Sequence, residues 1–200
     1  MFPLGTVLFP HGVLPLHVFE PRYRTMTERC LADDATFGVV LIERGSEVGG
    51  HDERFGVGTA ARILQAGRLD DGRYVLMTVG EHRVRVERWL PDDPYPRAEV
   101  EALADAPAGP DAANRRDTVG RILRQALALK AELGEPAAAA TVELDADPAV
   151  AAYQAAALAP LGALDRQRLL EQEGPDQRLA LLASDLAEEV AVLAHRASWD

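Results

Sequence analysis

Apolar residues fall in two rhythms along the chain, and the change comes near residue 103. From Phe2 to about Leu103 they come in short runs cut by Gly, Asp and Pro, which is how a strand-rich fold with tight turns is written. Beyond that point they recur at intervals of three and four residues, the period of amphipathic helices. The pattern predicts an α+β chain. A twisted or barrel-like β subdomain spans 1–103, a connecting loop 104–116, and an α-helical subdomain 117–200.

Within the β part, Thr6–Phe9 and Val13–Phe19 read as strands divided by Pro10-His11-Gly12. Pro21 suits the first turn of a helix, where its missing N–H loses nothing, so Arg22–Leu31 reads as a helix with Tyr23, Met26 and Cys30 on one side. Phe37–Glu43 is the next strand, Glu47–Arg54 a polar loop, and Phe55–Leu64 a strand carrying two glycines. The clearest local signal is a hairpin: Arg62–Leu69 enters Asp70-Asp71-Gly72 and Arg73–Val79 leaves it, with the Asp-Gly pair supplying the left-handed backbone position of a tight turn. Val84, Val86 and Trp89 continue a strand whose Arg83, Arg85 and Glu87 are expected to face water, and Arg97–Leu103 reads as the last strand.

In the helical part, Thr118–Leu133 lays Val119, Ile122, Leu123, Ala126, Leu127 and Leu129 along a broad apolar face. Asp147-Pro148 is a cap followed by a proline at the first helical position, and that helix is expected to end before Pro160. Leu164–Glu171 is a shorter helix. A last one over Pro175–His195 carries Leu179, Leu182, Leu186, Val190 and Leu193, with Asp176, Asp185 and Glu188-Glu189 toward solvent.

Composition narrows the function more by exclusion than by signature. The chain has 200 residues and a net charge of −11, with net −3 over residues 1–100 and −8 over 101–200, so neither half offers the basic footprint of a nucleic-acid or anionic-lipid binder. Cys30 is the only cysteine, which rules out an internal disulfide and a thiolate metal site and fits a reducing, cytoplasmic location. No basic stretch precedes the apolar N-terminal residues, and no run of eighteen apolar residues exists, so neither a secretory signal nor a membrane span is expected. The single lysine, Lys130, lies in a helical pattern without a glycine-rich turn, which excludes a phosphate loop and leaves Ser46, Ser184 and Ser198 without a motif for a Ser–Lys pair. Gly45-Ser46 leaves no room for a serine elbow, and Cys30 reads as a core thiol rather than a partner of His17 or His82.

His17 and Glu20 lack a third metal ligand, and Asp33-Asp34, Asp70-Asp71 and Asp92-Asp93 read as caps and turns. No catalytic residue, metal or cofactor is therefore assigned. The remaining feature is the apolar stretch Gly12–Tyr23. Most of its side chains are expected in the core, while Leu16, Phe19, Arg22 and Tyr23 are candidates for a surface that receives an extended peptide through strand-edge pairing and side-chain pockets.

Here the chain also resembles a known family. Phe2-Pro3-Leu4-Gly5-Thr6-Val7-Leu8-Phe9-Pro10, followed by Leu14-Pro15-Leu16-His17-Val18-Phe19-Glu20-Pro21-Arg22-Tyr23, is similar to the opening of the N-terminal substrate-binding domain of the Lon ATP-dependent proteases. The likeness continues through Phe37–Ile42, Val57–Ile63, Asp71–Tyr74, Ala98–Val100, Asp165–Glu171 and Arg178-Leu179, roughly residues 1–195 in all. The resemblance implies a PUA-like pseudobarrel followed by a helical bundle, without the ATPase and peptidase domains. It further implies noncatalytic recognition of unfolded or extended polypeptide segments, as an adaptor, weak holdase or regulator, with polypeptide substrates or a protein partner and weak homo-oligomer contacts. The alternatives are an RNA-binding PUA-like protein, which the charge disfavours, and a structural or oligomerisation module.

Overall fold

A computed structural model describes residues 1–45 and 53–199 and places the chain in two compact units that part between Ala104 and Asp105. The first is organised around the expected hairpin. Strands β4 (Glu53–Arg68) and β5 (Tyr74–Leu90) run antiparallel from a turn in which Gly72 takes a φ of 81° and donates its N–H to Leu69 O at 2.8 Å. Asp71 braces this turn by accepting from the Arg73 N–H at 3.1 Å and from Arg73 Nε at 2.7 Å, and those bonds hold its carboxyl below the ordinary carboxylate range.

The other strands assemble on the two edges of the hairpin. On one side β3 (Thr36–Arg44) pairs antiparallel with β4, and β1 (Phe2–Leu4) pairs parallel with β3. On the other, β5 takes β2 (Val13–Val18) along its first half and β6 (Arg97–Leu103) along its second. The resulting order is β1-β3-β4-β5-β2 with β6 beside β5, and among the described residues β1 and β2 end the path unpaired with each other. The sheet is therefore mixed and open, not the closed pseudobarrel expected. The two end strands supply few donors for a seam: β1 has three residues, and Pro3 and Pro15 each remove an N–H.

Three further expectations change. Thr6–Phe9 is irregular although Val7, Leu8 and Phe9 are buried, because its backbone bonds to other groups: Gly12 N–H donates to Phe9 O at 3.0 Å and Thr59 Oγ1 to Leu8 O at 2.6 Å. Of the polar loop expected over Glu47–Arg54, residues 47–52 lie outside the described residues with Ser46, while Glu53 and Arg54 already belong to β4. Arg83 is buried rather than facing water. Val84 beside it is buried as well, so β5 is covered on both faces at this point, just past a bulge where Ala60 pairs with His82 but Ala61 with Gly80. Arg83 Nη2 is turned inward and donates to Ala104 O at 3.3 Å.

Helix α1 (Pro21–Ala32) covers the sheet with Tyr23 and Met26, and its Pro21 occupies the first turn as expected. These side chains join Phe2, Leu4, Leu8, Val18, Phe37, Val39, Ile63 and Leu76 in one core, where the Phe2 ring meets Tyr23 edge-on at 4.3 Å and Phe37 at 6.1 Å.

The second unit comprises α2 (Ala112–Glu132), α3 (Pro148–Leu158), α4 (Ala163–Glu171) and α5 (Pro175–Ala197). Helix α2 starts five residues' worth of chain earlier than the expected 117, inside the region read as loop, because Asn114, Arg115 and Asp117 interrupt the apolar period only by forming an exposed first turn, while Ala112 is buried. Asp147 caps α3, accepting from Ala149 N–H at 2.9 Å, with Pro148 next to it. Val119, Leu123, Ala126 and Leu127 of α2 and Leu179, Leu182, Leu186 and Leu193 of α5 are all buried, and the alanine-rich α3 packs against both helices. Asp176 and Asp185 do not simply face solvent. Asp176 accepts from Gly109 N–H at 2.6 Å, and Asp185 is half-buried, which pushes its carboxyl up.

The polar centre of this unit is Arg178, which has no exposed surface. Its guanidinium forks onto Asp105 at 3.1 and 3.2 Å, donates to Leu169 O and Gln172 O, and lies 4.0 Å over the Tyr153 ring, whose hydroxyl donates to Asp105 Oδ2 at 2.8 Å. One side chain thus ties the start of the unit to α3, to the end of α4 and to α5.

Two predictions follow from this packing. An added Cβ at Gly80 would lie 2.2 Å from Phe9 O, so Gly80→Ala is expected to cost about 1–3 kcal/mol or more. It should appear in urea melts as a lower midpoint with an unchanged slope. Arg178→Met, which leaves the part-buried Asp105 without its cation, is expected to cost about 2–4 kcal/mol, and adding Asp105→Leu should recover a large part in the same melts.

Candidate functional site

Where β1 and β2 fail to meet, the first unit has a groove. It holds about 170 Å³ and is walled on one side by Phe2, Pro3 and Leu4 of β1, on the other by Pro15, Leu16 and His17 of β2, and completed by Phe19, Glu20 and Tyr23 at the entry to α1. Its walls come from strands whose outer edges carry no ladder partner among the described residues, and its lining is mainly apolar.

The sequence-chosen residues divide across this geometry. Phe19 is 52% exposed at the mouth and Leu16 is half-buried in the wall, packed in part against the core. Tyr23 is only 3% exposed: the Phe2 contact commits its ring to the core, so it serves as floor rather than free surface. Arg22 is not in the lining. Its guanidinium is held by Glu20 at 3.0 Å and lies 4.5 Å over the Tyr23 ring, which places it behind the groove as a brace. Three of the four candidates therefore share one cavity.

Sequence reasoning missed the opposite wall. Phe2-Pro3-Leu4 opens the β region and the family signature in the sequence without marking a site, and its parallel pairing with Val39, Val40 and Leu41 brings it beside β2 from a distance that no local pattern encodes. A short apolar strand carrying a proline was the available signal, since proline is tolerated on edges.

The groove offers little reactive chemistry. Among the described residues no three His, Cys, Asp or Glu side chains gather as a metal site. Cys30 packs against the core, and its burial raises the thiol above its ordinary range, which lowers the thiolate fraction a nucleophile needs. The three aspartate pairs behave as turn and rim residues: Asp34 Oδ1 accepts from Thr36 N–H at 3.0 Å, Asp71 braces the hairpin, and Asp93 lies 3.9 Å from Arg97. No described helix is long and apolar enough to cross a membrane. What the site can do is bury apolar groups and pair with an extended backbone.

Comparison with known proteins agrees on the region matched. A family model described as the ATP-dependent protease La (LON) substrate-binding domain matches residues 1–188. Lon protease 2 of Herpetosiphon aurantiacus is 30% identical over 199 residues, covering 95% of this chain and 23% of that protein, and the Lon protease of Anaeromyxobacter dehalogenans is 28% identical over 94% of this chain and 23% of its own length. Among solved structures, the Lon N-terminal domain protein from Xanthomonas campestris superposes with a TM-score of 0.66 at 28% identity, over 92% of this chain and 95% of that one. The N-terminal domain of the Mycobacterium avium complex Lon protease gives 0.67 at 20% identity over 92% and 94%, a likeness of fold. The chain spans about a quarter of the length of the curated proteases it matches, and the part it matches is their noncatalytic substrate-binding region, not the ATPase or peptidase domains. The chain belongs to the Lon substrate-binding domain family.

Proposed function

We propose that the first unit holds extended apolar segments of unfolded polypeptides in the groove between β1 and β2, without chemical change to them, as an adaptor, weak holdase or regulator. The observation that carries this reading is the placement of a half-exposed phenylalanine, Phe19, at the mouth of an apolar groove whose two walls are unpaired strand edges. We read the open sheet as a PUA-like pseudobarrel unlatched at its seam, so that a bound segment takes the place of the missing strand pair. Backbone pairing would give sequence tolerance, and pockets for alternate side chains would give preference. Pro3 and Pro15 limit the number of hydrogen bonds each wall can donate, so the apolar contribution leads.

The magnitudes set a modest affinity. Fully burying a phenylalanine is worth about 1.5–3 kcal/mol, and Phe19 has roughly half of that left to gain. The net charge of −11 repels acidic clients and RNA alike, which favours neutral or basic apolar segments.

The test is fluorescence anisotropy with a labelled, uncharged, Val- and Leu-rich twelve-residue peptide. Phe19→Asp is expected to weaken binding about tenfold while leaving the thermal melt close to the parent, because the side chain is half outside the core. Leu16→Asp should weaken it as much, with a lower melting temperature. Binding that is unaffected by Phe19→Asp removes the groove from the proposal. A labelled RNA oligonucleotide bound more tightly than the peptide, with steep loss on adding salt, replaces it with nucleic-acid recognition.

A further inference from the structure

The second unit contains a cavity of about 370 Å³ walled by small apolar groups, Ala137, Ala138, Leu158 and Pro160 among them, and by two cations, Lys130 and Arg166. The cations are out of keeping with their surroundings, since residues 101–200 carry a net charge of −8. Arg166 is half-buried. Its Nη2 donates to Ala159 O at 3.0 Å, its Nε is sealed from solvent with no hydrogen-bond partner, and no carboxylate among the described residues makes an ion pair with it. Burial alone moves this group, lowering it from its ordinary value, with no neighbouring acid to oppose the shift.

Capping explains part of this arrangement. Ala159 closes the C-terminal end of α3, where a cation meets orphan carbonyls favourably. A cap, however, uses one N–H of the guanidinium and supplies no counter-ion. Lys130 is also poorly matched: among the described residues its ion-pair partner is Glu135, 3.9 Å away and shared with Arg196. The cavity is therefore lined by two incompletely neutralised cations together with aliphatic side chains, in a volume at the small end of the range for ligand sites.

We propose that this cavity binds a carboxylate carried on a short aliphatic body, the chemistry presented by the last residue of a polypeptide or by a free short-chain acid. The alanine, leucine and proline walls take the aliphatic part, and Arg166 and Lys130 take the carboxylate. A phosphate suits the site less well, because the lining holds no hydroxyl to share its additional oxygens. The site lies in the helical unit and is independent of the groove in the first.

Lys130 is the chain's only lysine, so ¹³C-dimethylation of the intact protein places an NMR reporter in the cavity, distinct from the methylated α-amine. N-acetyl-dialanine is expected to shift the Lys130 signal saturably, whereas its C-terminal amide is not. Arg166→Gln should weaken the interaction about tenfold or more, and Arg166→Lys, which keeps the charge, should stay within about threefold. Lys130→Gln, followed through the Ala137 amide, should weaken it as well and does not depend on how well Arg166→Gln folds. N-acetyl-dialanine binding more tightly than butyrate assigns the chain terminus as the source, and butyrate binding at least as tightly assigns a free acid. Equal shifts from acid and amide, equal shifts from inorganic phosphate, or no saturable shift below about 50 mM would overturn the proposal.

Discussion

The edge-on contact of Phe2 with Tyr23 is the interaction on which the groove of the first unit depends. It joins the shortest strand, β1, to the first helix, and Phe37 backs it from β3. Three residues of parallel ladder are little to fix a strand against solvent, so β1 holds its place largely through the aromatic ring it buries. The same contact gives the groove its floor, because Tyr23 and Phe2 both line it. Arg22, stacked on Tyr23 and tied to Glu20, stiffens that floor from behind. A groove of small volume is thus built on parts packed into the core.

The helical unit is specified by different means. Its helices are rich in alanine, whose small side chains let backbones approach closely but distinguish poorly between one helix register and another. Arg178 supplies discrimination: it makes four hydrogen bonds, to a carboxylate and two carbonyls at defined distances, with Tyr153 stacked beneath. Such a pair adds little net stability over apolar residues of equal volume, yet a shifted register would strand its charge.

Sequence made the local elements legible where a single chemical requirement decides them. Gly72 needs a positive φ, Asp147 needs a backbone N–H to accept, and Pro21 and Pro148 need a first helical turn; the hairpin and both helix starts appear where those residues stand. It failed where the outcome depends on distant partners. Arg83 and Val84 are both buried because β5 is covered on both faces there, and no alternation within Val84–Trp89 records it. The buried Thr6–Phe9 run is as apolar as a strand, but its carbonyls are claimed by Gly12 and Thr59. The groove was half legible for the same reason: Leu16 and Phe19 advertise themselves within one apolar stretch, while the β1 wall is brought beside them by β3.

The topology also orders events in time. β4 and β5 meet across a three-residue turn, whereas β1 finds its partner only at Val39–Leu41 and β2 only at Tyr74–Val79. Contacts that close long loops form at greater entropic cost than those across a tight turn. A chain emerging from its N-terminus therefore exposes Phe2, Leu4, Leu14 and Leu16 before the strands that cover them have been made. The stretch that lines the groove in the finished protein is, during its own synthesis, the one that waits longest for a partner.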